Sequence, residues 1–76
     1  MAVMVNSKTD WLALMKIGDI GRTYNFRLTE IVPGNWQLLV LSQDKPRLRL
    51  AGFLTADAAR QSADSVMALF GLKRLG

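Results

Sequence analysis

The chain contains neither cysteine nor histidine. Without thiols there is no disulfide framework and no thiolate zinc site. Without imidazole there is no Ser/His/Asp or Cys/His nucleophile, no histidine metal ligand and no ordinary proton shuttle near neutral pH. Paired acids are sparse too. Asp57 and Asp64 stand two helical turns apart, about 10 Å, with Arg60 between them, a spacing that makes surface ion pairs more simply than an acid–base couple. Asp10 and Asp19 are the other near pair, and no pocket-forming glycine loop or titrating pair is visible. The chain is therefore expected not to be an enzyme and to carry no metal or cofactor.

Long apolar runs are missing as well. None approaches the roughly 20 residues of a membrane-spanning helix, and the opening MAVMVNSK lacks the basic head and small-residue cleavage pattern of a secretory signal. A cytoplasmic protein with no membrane partner is predicted. No repeat, low-complexity stretch or linker interrupts the 76 residues, so residues 1–76 are expected to fold as a single compact domain. A composition 50% hydrophobic and 21% charged supplies the apolar surface that compaction requires.

Within that frame, Lys8 to Ile17 reads as a short helix with Trp11, Leu14 and Met15 at i, i+3 and i+4. Ser7 and Asp10 have capping-box-like spacing at its start and Gly18 stops it. A strand follows from about Thr23 to Val32, where Tyr24, Phe26 and Leu28 alternate with Asn25, Arg27 and Thr29. VPGN then predicts a type II turn, with Pro33 and Gly34 in its two central positions. The next strand, Trp36 to Ser42, is apolar on both faces: Trp36, Leu38 and Val40 fill one, predicted to be core, and Leu39 and Leu41 fall on the other with Gln37.

QDKP makes a polar loop, after which Arg47 and Arg49 alternate with Leu48 and Leu50 in a third strand. Thr55 is the expected N-cap of a last helix, Ala56 to about Phe70, with Asp57 in its first turn and Gly71 at its stop. Its predicted apolar stripe is Ala59, Ala63, Val66 and Phe70, flanked by Met67 and Leu69. Leu72 is placed for the apolar contact of a Schellman end, and KRLG remains as a basic tail. The fold expected is α+β, in the order α-β-β-β-α: a three-stranded antiparallel sheet packed against a C-terminal helix, with a short N-terminal helix.

That order, together with VPGNWQLLVLS and TADAARQSADSVMALFGL, resembles the double-stranded-RNA-binding domain. In that family a proline-bearing hairpin loop precedes an aromatic and aliphatic strand, and a lysine pair opens the last helix. Ala56 and Asp57 occupy the lysine-pair positions here, leaving Arg60 as the basic residue the resemblance carries over. Residues 34 to 64, through GNW, RLRL and FLTADAA, are also similar to AP2-type DNA-binding domains, which implies DNA-facing roles for Arg47 and Arg49. Both patterns report chiefly a helix packing on a sheet, and nucleic-acid binding is the function the resemblances imply.

Ten Lys and Arg against six Asp and Glu give a net charge of +4, favourable to phosphates without specifying them. The candidate nucleic-acid residues are Arg27, Lys45, Arg47, Arg49, Arg60, Lys73 and Arg74. Arg47 and Arg49 could equally be a solvated strand face that protects a sheet edge, and Lys73 and Arg74 could complement a helix dipole. A second candidate surface is apolar. If both helices pack on one face, Leu39, Leu41 and Ile31 stand on the other, as at a protein interface or a homodimer; alternatively the N-terminal helix crosses over and covers them with Trp11 and Leu14. Two partner classes are thus expected, nucleic acid or protein.

Overall fold

The computed structural model describes residues 8–75. In chain order they form β1 (Lys8–Ile17), β2 (Ile20–Val32), β3 (Asn35–Ser42), β4 (Lys45–Phe53), α1 (Ala56–Phe70) and β5 (Lys73–Leu75). The strands make one five-stranded sheet in the order β4-β3-β2-β1-β5, every neighbouring pair antiparallel. The expected α-β-β-β-α fold with three strands is therefore corrected: the segment read as an N-terminal helix is β1, and the segment read as a basic tail is β5. The Ser7 cap lies outside the described residues.

The first correction has a local cause. Gly18 and Asp19 form a two-residue loop between the paired Ile17 and Ile20, and Gly18 alone of the two has a positive φ, 61°. Glycine in the first central position is the type II′ pattern, whose twist suits a tight hairpin. The chain therefore turns back on itself at Gly18 rather than merely stopping a helix. Along β1 the period is two, with Trp11 and Ala13 buried and Leu12 turned outward.

The other hairpins follow their turn chemistry. Gly34 takes φ 78° behind Pro33, as expected of the VPGN turn. Gln43 and Asp44 both take positive φ, 54° and 61°, the pattern of a type I′ turn. Three register shifts interrupt the ladders: the β2–β3 pairing skips Ile31, and the β3–β4 pairing skips Arg47 and Gly52. At the last of these, Gly52 has φ 90° and its N–H donates to Asn35 Oδ1 at 3.1 Å.

The helix is capped at both ends as its sequence requires. Thr55 Oγ1 accepts from the Ala58 N–H at 3.1 Å. Gly71 takes φ 66°, its N–H donates to the Ala68 carbonyl, and the Leu72 N–H donates to the Met67 carbonyl at 2.8 Å. These two bonds define a Schellman motif.

Ala59, Ala63 and Met67 are the helix residues buried against the sheet. The stripe thus follows the i, i+4 line; Phe70, expected at its end, is 58% exposed. The two alanines bring the helix close to Phe26 and Leu38, the largest fully buried side chains, each contributing about 2–3 kcal/mol by burial. Trp11, Leu28 and Val40 complete this layer, and Trp36, Leu48 and Leu50 pack against it.

Trp11 is held on several sides. Its ring stacks on Phe26 with centroids 5.4 Å apart, Arg74 Cζ lies 4.9 Å from the ring centroid, and its indole N–H points at Met67 Sδ at 3.4 Å. Among the described residues no helix is long and apolar enough to cross a membrane.

Candidate protein-docking face

Cross-strand partners in an antiparallel sheet share a face, so the register defines what stands opposite the helix. One row runs Leu75, Leu12, Asn25, Leu41, Pro46 across all five strands. The next row toward the N-terminus of β1 runs Asp10, Arg27, Leu39, Arg49. On the other side of the leucine row lie Lys73, Leu14 and Thr23, beyond which β3 ends and the Gln43–Asp44 turn begins. No described element covers these rows. The alternative in which Trp11 and Leu14 cap this face does not hold, because Trp11 is in the helix-side core and Leu14 belongs to the open face itself.

The open face is aliphatic and cationic, and it has relief. Leu12 is 46% exposed and Leu75 41%, whereas Leu39 and Leu41 are half-buried among their neighbours. Arg27 Nε lies 3.5 Å from Asp10 Oδ1, an ion pair within the ladder. A shallow depression of about 550 Å³ occupies the corner where β2 runs on past the end of β3, bordered by Leu12, Thr23, Asn25, Arg27, Leu41 and Asp44. Two polar atoms beside it, Asn25 Oδ1 and Arg27 Nε, are shut off from solvent without a hydrogen-bond partner. Such atoms are uncommon in folded proteins and call for an explanation.

The aromatic side chains lie elsewhere. Trp11, Tyr24, Phe26, Trp36 and Phe53 belong to or pack against the helix-side core, and Phe70 is on the helix. The sheet therefore offers no ring on its open face for a base to stack on, the device by which sheet surfaces hold single strands.

The basic residues singled out in the sequence divide between the two sides. Arg27 and Arg49 share a row on the open face, and Lys73 joins that face opposite Leu14. Arg47, freed by the register shift, turns to the helix side instead of lying beside Arg49; it borders an apolar cavity of about 220 Å³ with Met15, Tyr24, Leu48, Val66 and Phe70. Arg74 flanks Trp11 on the helix side, and Arg60 lies on the outer surface of α1, 3.5 Å from Asp57. Lys45 sits at the β3–β4 turn opposite Ser42. The cavity is smaller than the roughly 300–1,000 Å³ of most ligand pockets.

Of the apolar residues singled out, Leu39 and Leu41 are on the open face, and Ile31 is 47% exposed where the β2–β3 register skips it. Leu12, Leu14 and Leu75 were not foreseen, because β1 and β5 were not recognised as strands; Asn25 was read on the face of Arg27 and Thr29 but not singled out. The Gly18-Asp19 pair was the available signal. Compared with protein-family models, curated proteins and solved structures, the chain matches none, so its functional reading rests on this face alone.

Proposed function

We propose that this chain is a non-enzymatic protein-interaction module that docks its partner on the open face of the sheet. The observation that carries this reading is the set Leu12, Leu14, Leu39, Leu41 and Leu75, which no described element covers, divided on the central strand by Asn25 and Arg27 and flanked on the edge strands by Arg49 and Lys73, with every aromatic on the opposite side. Exposed aliphatic surface beside arginine and other polar groups is the anatomy of a protein interface. A nucleic-acid role has less support. A duplex would require cations gathered on one surface, and of the seven candidates only Arg27, Arg49 and Lys73 share this face, Arg27 being already paired with Asp10.

The test compares the wild type with Leu39→Asp/Leu41→Asp and Arg27→Glu/Arg49→Glu. Affinity capture with identification of bound proteins is run beside anisotropy titrations against duplex DNA, duplex RNA and single strands at several salt concentrations. The leucine double variant is expected to lose specifically captured protein while staying folded, with no saturable nucleic-acid binding at physiological salt. Micromolar binding to any nucleic acid that the arginine double variant abolishes would overturn the reading.

A further inference from the structure

The open face is complementary to itself, and from this we infer that its partner is a second copy of this chain. The inference rests on the protein-docking reading and deepens it. In the row Leu75, Leu12, Asn25, Leu41, Pro46 a polar residue stands at the centre, with a leucine and then an apolar edge residue on either side. A two-fold axis lying along this row, between two sheets stacked face to face, places leucine on leucine and Asn25 on Asn25. Stacked sheets lie about 10 Å apart, so the two Asn25 side chains meet at the axis, while their Oδ1 atoms stay enclosed within each copy.

The charges beside this row fit the same axis. It exchanges the two flanking rows, so Asp10 of one copy comes over the Leu14 and Lys73 of the other. Arg49 comes over the turn that carries Asp44. Arg27 comes over Thr23, in the depression that Asp44 borders. Thus the cationic half of each face meets the recessed half of the other, with an acid facing a base at both ends. An axis along β2 would instead stack Arg27 on Arg27. A closed two-fold interface requires this kind of self-complementarity.

The area sets the strength. Three rows, each about 6.8 Å deep, across four strands spaced about 4.8 Å apart present roughly 400 Å² per copy, or about 800 Å² in total. That is below the roughly 1,000 Å² of a stable specific interface, so a weak, reversible dimer is expected.

The experiment is sedimentation equilibrium on the full chain from about 1 µM to 1 mM, the range appropriate to a small interface, with circular dichroism to confirm folding. Wild-type protein is expected to shift from monomer to dimer. Arg49→Glu and Asp44→Lys are made separately. Each alone places like charges in contact twice across the axis and is expected to weaken dimerisation by roughly 100-fold or more. Mixed in equal amounts, the two variants restore opposite charges at both contacts and are expected to form a heterodimer.

Asp44 has a positive φ, so Asp44→Asn, which keeps the turn and removes the charge, is the second variant; it is expected to weaken association and to reduce its sensitivity to salt. Wild type that stays monomeric at 1 mM would overturn the inference, as would folded single variants that dimerise like the wild type. The docking reading itself fails separately: it falls if Leu39→Asp/Leu41→Asp captures the same proteins as a monomeric wild type.

Discussion

Leu38, Leu39, Val40 and Leu41 follow one another in β3, and truncating the first two asks which face of the sheet is core. Leu38 is fully buried between Leu28 and Leu50, with which it pairs across the sheet, on the face that carries α1. Removing its three outer carbons loses burial and leaves a cavity that neighbours in regular strands cannot close; Leu→Ala at such a site costs about 2–5 kcal/mol. Leu39, one residue on, is half-buried between Arg27 and Arg49 on the open face, where water can occupy the space left, so the same change costs about 1 kcal/mol or less. A domain of this length has a total stability of roughly 4–11 kcal/mol, so Leu38→Ala should remove a large part of it. The assay is urea unfolding followed by tryptophan fluorescence, which reports the stacking of buried Trp11 on Phe26. Low protein concentration keeps association from contributing to the measured stability. Equal losses, or a larger loss at Leu39, would refute the assignment of faces.

The remaining predictions concern caps, turns and charge. Thr55→Ala should cost about 1 kcal/mol, because Oγ1 is the acceptor for the Ala58 N–H, while Thr55→Ser should cost little; thermal melts of both variants check this. Gly18→Ala should cost about 1–2 kcal/mol through backbone strain alone, since a Cβ there meets nothing within 4 Å and the φ is 61°; a loss much below this in chemical unfolding would argue against the tight β1–β2 turn. Arg74→Ala should cost about 0.5–1 kcal/mol through its lost contact with the Trp11 ring. Arg74→Lys should recover part of that loss, which a titration of stability in the two variants would show.

What the sequence discloses depends on how many competing periods a segment satisfies. β2 and β3 were legible because their alternation is bounded by VPGN and QDKP, two turns with strong residue preferences. The helix was legible because Thr55 and Gly71 mark its ends. β1 was not, because Trp11, Leu14 and Met15 satisfy a helical spacing while Trp11, Ala13 and Met15 satisfy that of a strand. The ambiguity arises from the open face itself: its leucines place apolar residues on both sides of the strand and remove the hydrophobic alternation that identifies an ordinary half-buried strand.

β5 is three residues long, Lys-Arg-Leu, and carries no periodic signal; it exists because Gly71 returns the chain to the free edge of β1. The same causes governed the site. Leu39 and Leu41 could be singled out because β3 is apolar on both faces, but Leu12, Leu14 and Leu75 depended on strands that had not been recognised. Arg47 was paired with Arg49 by simple alternation, which the register shift at that point breaks.

The account turns on one face of the sheet being free to dock a partner, and the thermal melt of Leu39→Asp/Leu41→Asp, followed by circular dichroism at low protein concentration, tests that most directly. Leu39→Asp sets a carboxylate between Arg27 and Arg49, and Leu41→Asp sets one at the edge of an open depression. The account predicts a folded variant with a melting temperature within a few degrees of the wild type, a shift corresponding to about 1 kcal/mol or less. A variant that is unfolded at room temperature would place these leucines in the core and contradict it.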